Sequence, residues 1–324
     1  MRKSQLFAGC RLDRAAQLRR DAAWVAAMME DEKSCFLPVW RNLNLVEDGN
    51  RLMQVAGTPL RRLLSGSAER VLLGVEDEQA FFAIDLSMMN ERDAQAVAGN
   101  GEFCDLRRVG GVMNATEAAL AAYARASLRW HRYSRFCGHC GAATVSQHGG
   151  QQRLCSNSDC ARQLFPRTDP AVIMLVVRPA DDHSPARCLL ANHHRSPSGS
   201  YSTLAGFVEP GESLEDAVVR EVREEVGLAL EGVSYRGSQP WPFPGAIMLG
   251  FHATTMQSDL AIDSDELADA DWFSAAELEE FGEWGETGAA RRLPPHDSIA
   301  RDLIETWRRQ VIDAGEHRRS PAGD

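Results

Sequence analysis

The most constraining feature of the sequence is a glycine-containing loop that leads directly into a helix crowded with carboxylates. Residues 213–226 have the pattern of a helix that ends before Gly227. Glu221, Glu224 and Glu225 are spaced i, i+3 and i, i+4, so their side chains project to one side of that helix. Like charges placed in this way weaken a helix unless something compensates them, and hard divalent cations favour clustered carboxylates. The segment therefore predicts a metal site.

The surrounding residues complete a longer pattern. It consists of Gly206, five residues, Glu212, seven residues, Arg220-Glu221-Val222, one residue, Glu224-Glu225, one residue and Gly227-Leu228. This is a complete match to the Nudix box, and we expect it by chance in fewer than about one in a million chains of this length. The chain therefore closely resembles the Nudix hydrolases, which use metal-bound water to cleave a diphosphate linked to another moiety.

The resemblance implies roles for individual residues. It places catalytic metal ions, Mg²⁺ or Mn²⁺, on five ligands: Glu221, Glu224, Glu225, Glu266 and, through its backbone carbonyl, Ala205. These ions would neutralise the diphosphate and lower the pKa of a bound water. Arg220 and Glu212 join the catalytic set, with Arg220 as an ion-pair partner that holds the loop and Glu212. The pattern leaves the general base unassigned.

Four of the eight cysteines form a second motif. Cys137, Cys140, Cys155 and Cys160 lie within 24 residues. Two close pairs on turns can hold one ion with four thiolates, which predicts one structural Zn²⁺ per chain; disulfides or an iron–sulfur cluster are the alternatives. A site with four protein ligands has no open position for substrate. The other four cysteines are scattered and are expected to be buried or idle thiols.

Substrate selectivity has to be sought outside the box. The segment Ser238-Gln-Pro-Trp-Pro-Phe-Pro244 is stiffened by three prolines and carries Trp241 and Phe243 close to Gln239. A rigid aromatic platform beside a diphosphate site suits a stacked heterocycle. The alternative is a proline-rich loop packed for stability.

This segment narrows the resemblance to the NADH pyrophosphatase (NAD-capped RNA hydrolase) branch of the Nudix family. Four further features agree with that branch: the zinc segment before the domain, Phe165-Pro166-Arg167, Leu204-Ala-Gly-Phe207, and Leu293-Pro-Pro295 followed by Ser298-Ile-Ala-Arg301. The resemblance is strong over residues 136–307. In the N-terminal part it is loose and rests on pieces such as Leu12-Asp-Arg14.

The narrower resemblance also implies substrate contacts. They fall on Phe165, Phe207, Gln239, Pro240, Trp241, Pro242, Phe243, Pro244, Gly245, Ala246 and Ala300. Two positions depart from the branch. Phe165 replaces the usual Tyr, and Gly245-Ala246 stands where a Ser is usual, so two hydroxyl contacts are missing. Both changes are expected to loosen substrate selection without altering the metal chemistry.

The order of predicted elements indicates an α/β (α+β) protein. We expect an α+β domain over 1–114, a connecting helix over 115–135 and a zinc ribbon over 136–166. Residues 167–313 are expected to form the Nudix domain, an α/β/α sandwich around a mixed sheet. Residues 314–324 are expected to be a disordered tail.

The N-terminal part gives few functional cues. The spacing of apolar residues predicts a helix from Asp13 to Met29. No reactive constellation stands before residue 114, which favours a scaffold or dimerisation domain. Four arginines, at 125, 129, 132 and 135, fall near one face of the connecting helix. This stripe is either a contact for a polyanion or a solvated face.

The implied enzyme is an NAD⁺ diphosphatase (NADH pyrophosphatase). It would cut NADH or NAD⁺ into nicotinamide mononucleotide and AMP, and would also remove NAD caps from RNA 5′ ends. Two alternatives stay open: hydrolysis of another nucleoside diphosphate such as ADP-ribose, or a zinc-ribbon binding protein whose catalytic site has lapsed. The family also suggests a homodimer.

The charge distribution limits the partners. The net charge is −11, and residues 259–286 contain eleven acidic residues and no Lys or Arg. The chain therefore has no global attraction for nucleic acid, although a single-stranded 5′ end needs only a local basic patch. The sequence contains no run of 18 apolar residues, so we expect no membrane span. The apolar stretch after Lys3 is too short for a signal peptide. We expect a cytoplasmic protein.

Overall fold

The structure is a computed structural model that describes residues 5–56 and 68–319. The chain divides into two compact units. The first comprises Met1–Thr168 and the short segment Pro240–Gly245, and the second comprises Asp169–Gln239 and Ala246–Asp324. No helix among the described residues has both the length and the apolar character needed to cross a membrane.

The first unit is built on a seven-stranded sheet. Its strands are β1 (Cys35–Trp40), β2 (Leu43–Glu47), β3 (Arg51–Leu52), β4 (Val55–Ala56), β5 (Arg70–Glu76), β6 (Gln79–Asp85) and β7 (Glu102–Cys104). They lie in the order β3-β2-β1-β6-β5, with β4 beside β1 and β7 beside β2. Strands β1 and β6 are parallel and the other pairs are antiparallel.

Helices cover both faces of this sheet. They are α1 (Ala22–Glu30), α2 (Glu91–Ala98), α3 (Leu106–Val109) and α4 (Ala115–Tyr133). Because strand residues alternate between faces, Phe81 and Ala83 pack in one core with α4, while Phe82 packs in the other with Val25 of α1 and Val97 of α2. The alanine-rich sequence of α4 allows this helix to lie close against the sheet.

A small antiparallel ribbon completes the first unit. It contains β8 (Thr144–Gln147), β9 (Gln152–Cys155) and β10 (Gln163–Leu164) in the order β10-β9-β8. A buried polar network ties it to the rest of the unit. Arg153 of β9 donates to Glu69 over 2.8 Å, and His131 of α4 lies 3.3 Å from Glu69 and 2.7 Å from the Gly150 carbonyl. Burial alone would raise the pKa of Glu69, but His131 and Arg153 outweigh it and lower the pKa to about 2.

The second unit is built on a six-stranded mixed sheet. Its strands are β11 (Asp169–Arg178), β12 (Arg187–His193), β13 (Leu204–Phe207), β14 (Gly232–Trp241), β15 (Ala246–Thr254) and β16 (Leu267–Ser274). Their order is β14-β15-β11-β12-β16, with β13 beside β11; β11 and β15 are parallel. A separate parallel pair consists of β17 (Gly282–Glu283) and β18 (Arg292–Leu293), and the helices are α5 (Leu214–Val226) and α6 (Ile299–Arg319).

The central strand β11 separates two apolar cores. Val172, Met174 and Val176 point to one side, where they pack with α5. Ile173 and Leu175 point to the other side, where they pack with α6. A strand that is buried on both faces has a continuous run of apolar residues, and β11 has such a run. The second unit is therefore the predicted α/β/α sandwich around a mixed sheet.

Two predictions about helix boundaries were wrong. The helix expected from Asp13 begins only at Ala22: Asp13 pairs with Val75 at a sheet edge, and a 3₁₀ turn occupies Leu18–Arg20. The apolar spacing continues through this turn because both helix types repeat every three to four residues. At the other end, α6 continues to Arg319, into the expected tail, and residues 320–324 lie outside the described residues.

The arginine stripe has neither of its predicted roles at Arg125. Helix α4 begins where its cap predicts, with the Asn114 side chain accepting from the Thr116 N–H. Arg125 is buried, and its Nε donates to the carbonyl of Asn42 over 3.0 Å. Its guanidinium is therefore a packed structural group of the first unit rather than part of a solvated face.

The buried network of the ribbon generates a stability prediction. Glu69→Ala leaves Arg153 buried without its carboxylate, which we expect to lower the free energy of unfolding by about 3 kcal/mol. Glu76→Ala is the matched control, because Glu69 directly precedes β5 and Glu76 is exposed at the far end of that strand. Chemical denaturation should show a change of less than about 0.5 kcal/mol for this control. Equal effects of the two substitutions would contradict the structural role of the network.

Candidate active site

The loop after β13 and the first turn of α5 place the box residues. The Ser213 side chain accepts from the Asp216 N–H, and the Asp216 carboxylate accepts from the Ser213 N–H. This capping box fixes where the helix starts. At the other end, Gly227 adopts a left-handed conformation with φ 72°, which glycine reaches without strain. The helix is therefore held at both ends.

Arg220 connects the loop to the carboxylates. Its Nε and Nη2 form a fork on Glu212 at 2.6 and 3.0 Å. Nη1 donates to Glu221 over 2.8 Å and to Glu224 over 3.0 Å, and Nη2 also donates to the Phe207 carbonyl over 2.8 Å. These contacts use all five N–H donors of the guanidinium. They are the contacts of an ion-pair partner that organises the loop.

Gly206 is the site at which a side chain would not fit. A Cβ built there would lie 1.8 Å from Oε1 of Glu221. The Glu221 side chain is half-buried against this backbone, and burial is the largest cause that raises its pKa. The box glycine therefore provides the space in which the Glu221 carboxylate lies.

Glu225 is the most buried acidic group of the helix. Its residue is 2% exposed, and its Oε2 has no hydrogen-bond partner among the described residues. Burial, followed by the charges of Glu221, Glu266, Asp263 and Glu224, raises its pKa to about 8. A buried carboxylate with an unsatisfied oxygen among four other carboxylates is a donor set suited to a hard divalent cation.

The structure brings Glu266 near the carboxylates of α5 and adds a neighbouring carboxylate, that of Asp263, which sequence reasoning missed. Glu266 approaches closely enough for its charge to raise the pKa of both Glu221 and Glu225. Asp263 was not predicted; its N–H donates to the Glu225 carbonyl over 2.8 Å, and its charge also acts on Glu225. The acidic run of residues 259–286 was the available signal. Ala205, on β13, pairs with Ile173 of β11.

The four predicted cysteines converge in the ribbon. Across the described chain they are the one group of three or more candidate side chains whose ligand atoms all lie within 4.8 Å of one another. The Sγ atoms of Cys137 and Cys160 are 3.8 Å apart, and those of Cys140 and Cys155 are 3.4 Å apart. Sulfurs placed tetrahedrally about 2.3 Å from one ion lie about 3.8 Å from each other. The cluster therefore has the dimensions of a four-thiolate metal centre.

The predicted substrate residues of the second unit differ in exposure. Phe207, the last residue of β13, is 59% exposed, whereas Ala246 and Ala300 are buried. Gln239 is buried, and its side-chain amide forms hydrogen bonds with two backbone groups at the start of α6. Its Nε2 donates to the Asp297 carbonyl over 2.8 Å, and its Oε1 accepts from the Ile299 N–H over 2.9 Å. These bonds hold the start of α6.

The other predicted substrate residues belong to the first unit. Phe165 is 61% exposed. Phe243 is buried, with its ring centroid 5.1 Å from that of Trp241 and 5.7 Å from that of Phe7, both edge-on. Trp241 is partly buried and packs against the same apolar core. Of the two platform rings, Trp241 is the more exposed.

Comparisons with known proteins agree with these two units. Residues 167–297 match the NUDIX domain, and residues 33–130 match the NADH pyrophosphatase-like rudimentary NUDIX domain. The chain is 36% identical over 318 residues to the NAD-capped RNA hydrolase NudC of Mycobacterium bovis BCG Pasteur, covering 95% of this chain and 96% of that protein. The identity and coverage are the same for NudC of Mycobacterium tuberculosis H37Rv. With human NAD-capped RNA hydrolase NUDT12 it is 40% identical over 197 residues, 59% of this chain and 42% of the human protein.

The tight space at Gly206 generates a prediction. Gly206→Ala should displace the Glu221 carboxylate and weaken Mn²⁺ binding by about tenfold or more, measured by electron paramagnetic resonance. Gly232→Ala is the matched control, since a Cβ there meets no atom within 4 Å. Unchanged Mn²⁺ affinity in Gly206→Ala would show that Glu221 is not a metal ligand.

The raised pKa of Glu225 generates a second prediction. Its usual pKa of 4.5 rises to about 8 on folding. The folded protein therefore holds this proton more tightly than the unfolded chain. The resulting stabilisation is complete below about pH 4.5 and is lost as the pH rises through about 8. In EDTA, the free energy of unfolding should fall between pH 5.5 and 8.5 in the wild type and fall less in Glu225→Gln. Parallel pH profiles for the two proteins would contradict the assignment.

Proposed function

Because the chain belongs to the Nudix hydrolase family, in the branch that carries an NADH pyrophosphatase-like domain, we propose that it hydrolyses the diphosphate bond of NADH and NAD⁺. The products are nicotinamide mononucleotide and AMP. The same cleavage at the 5′ end of an RNA removes an NAD cap. The observation that carries this proposal is the carboxylate cluster around Glu225, held by Arg220 and Gly206. The choice of substrate is supported by the NAD-capped RNA hydrolase NudC of Mycobacterium bovis, which matches 95% of the chain.

The chemistry follows from what the residues hold. Glu221, Glu224 and Glu225, with Glu266 and the Ala205 carbonyl as further ligands, would hold divalent cations, which we propose to be Mg²⁺ or Mn²⁺. When bound, such ions would supply positive charge for the diphosphate and a more acidic water. Arg220 keeps Glu212 and the Phe207 carbonyl in place, so the loop keeps its shape when substrate binds. Phe207 is 59% exposed and Trp241 is partly exposed, and we propose that these rings stack on the bases of the substrate.

A product assay tests the proposed activity. The purified protein is incubated with NADH, NAD⁺, ADP-ribose and NAD-capped RNA, each with Mg²⁺, Mn²⁺ or EDTA, and products are separated by chromatography. We expect nicotinamide mononucleotide and AMP from NADH and NAD⁺, a 5′-monophosphate RNA from the capped RNA, and no products in EDTA. Faster turnover of ADP-ribose than of NADH would favour the alternative substrate.

The same assay tests the metal helix. Glu225→Gln removes one carboxylate charge at constant volume, so turnover of NADH should fall by orders of magnitude while the fold is kept. Glu215→Gln is the matched control, since Glu215 lies in the first turn of the same helix and is exposed. Activity of Glu225→Gln within about threefold of the wild type would remove this helix as the metal site.

For the four-cysteine cluster we propose one structural Zn²⁺ per chain. The Sγ distances of 3.8 Å between Cys137 and Cys160 and 3.4 Å between Cys140 and Cys155 support four thiolates on one ion. Four protein ligands leave no position for substrate. The ion therefore contributes to folding and not to the reaction.

Replacing one ligand separates these two contributions. Cys140→Ser should lose zinc on dialysis and lower the melting temperature, while the folded fraction keeps its turnover number for NADH. Cys10→Ser is the matched control, because Cys10 is a free thiol outside the cluster. About one zinc per chain in Cys140→Ser, measured by elemental analysis, would contradict the ligand set.

We also propose that the protein is a cytoplasmic homodimer. A four-thiolate site requires cysteines that stay reduced, which the cytosol provides. The homodimer is supported by the family resemblance. Cell fractionation tests the location, and light scattering of the purified protein tests the oligomeric state; a monomer at micromolar concentration would contradict the dimer.

A further inference from the structure

The proline-rich segment Pro240–Gly245 is held in the first unit by an unusual means. Pro240, Pro242 and Pro244 have no backbone N–H, so at these positions the segment cannot donate to a neighbouring strand. Its carbonyls remain available as acceptors. Arg125 of α4 supplies a donor: its Nη1 donates to the Pro242 carbonyl.

Arg125 is placed for this contact at an electrostatic cost. The residue is 7% exposed, and burial lowers the pKa of its guanidinium to about 10. Its other backbone contact is the Nε donation to the Asn42 carbonyl over 3.0 Å. A buried cation that donates to two backbone carbonyls holds the two chain segments at a fixed distance from each other.

The same guanidinium also contacts the aromatic part of the segment. Arg125 and Arg107 each lie 4.7 Å from the centroid of the Phe243 ring. Phe7 and Trp241 pack edge-on against the ring. Phe243 is thereby enclosed, while Trp241, whose ring packs edge-on against it, is only partly buried. The orientation of the indole therefore depends on a ring that Arg125 contacts.

We infer that Arg125 is a positioning residue for dinucleotide selectivity: it anchors the segment Pro240–Gly245 through the Pro242 carbonyl and the Phe243 ring, and so sets the orientation of Trp241. The inference rests on the proposed function, in which Trp241 stacks on a base of NADH. The first unit has no predicted reactive constellation before residue 114, and this inference gives it a role in substrate selection. The ligand class is a dinucleotide with a stacked heterocycle.

The experiment compares a substrate that has heterocycles with one that has none. Steady-state KM and kcat are measured for NADH and for P1,P2-dimethyl diphosphate, a diphosphate diester without a base. Arg125→Met keeps the apolar stem and removes the donors. It should raise the KM for NADH by roughly five- to 150-fold, the range expected when stacking on one ring is lost. The kcat for NADH and the turnover of dimethyl diphosphate should stay within about threefold of the wild type.

Three variants make the result specific to position. Arg125→Lys keeps the charge but lacks the planar fork, so it should give an intermediate KM. Arg107→Met removes the exposed partner of Phe243 and should raise the KM less than Arg125→Met while folding normally; it also keeps the test decisive if Arg125→Met fails to fold. Arg129→Met, one turn along the helix, contacts Tyr133 instead and should match the wild type.

Trp241→Ala separates failure of this inference from failure of the proposed function. If Trp241→Ala raises the KM for NADH and neither Arg125→Met nor Arg107→Met does, the inference is overturned and the proposed function stands. If all variants lose both substrates equally, the segment is scaffold and the inference is also overturned. If the wild type does not cleave NADH at all, the proposed function itself fails.

Discussion

The structure of the active site depends on one electrostatic constraint, the burial of the Glu225 carboxylate among other acidic groups. A carboxyl group in this position is costly to ionise, and its pKa of about 8 expresses that cost. The surrounding contacts are arranged so that the cluster can form in spite of it. Arg220 binds the carboxylates of Glu212, Glu221 and Glu224, whereas Oε2 of Glu225 has no hydrogen-bond partner among the described residues. Ionising Glu225 therefore costs free energy in the folded chain, and the proposed divalent cation would reduce that cost and so link metal affinity to pH.

The two units use the same layering for different purposes. In each, alternate residues of a central strand separate two apolar cores, and a helix covers each face. In the second unit the covering helix α5 carries the carboxylates. In the first unit the helix α4 carries alanines and Arg125 among its buried residues. The same layered packing can thus accommodate different polar side chains, because the apolar alternation and the polar side chains lie on separate positions.

Sequence reasoning succeeded where the determining interactions are local. Asn114 predicts the start of α4, and Gly227 predicts the end of α5, because caps act within one turn. Sequence reasoning failed where the interacting residue is distant in the sequence. The two roles considered for Arg125, a solvated face or a polyanion contact, did not include its hydrogen bond to the Pro242 carbonyl, because Pro242 lies 117 residues away. The ligand neighbour Asp263 was overlooked for the same reason, since only the fold brings its loop to α5.

Most fixed positions of the box make structural contacts, and only three of them are proposed metal ligands. Gly206 is required by the Glu221 carboxylate, and Glu212 by the fork of Arg220. Val222 and Leu228 are required by the apolar core, in which both are buried. At Gly227, φ is positive and a Cβ would lie 2.7 Å from Ala261, so both conformation and space demand glycine. Each of these positions is fixed for a separate physical reason, and together their contacts hold α5 in place against the loop after β13. That is why the full pattern identifies the family far more securely than its three clustered glutamates would alone.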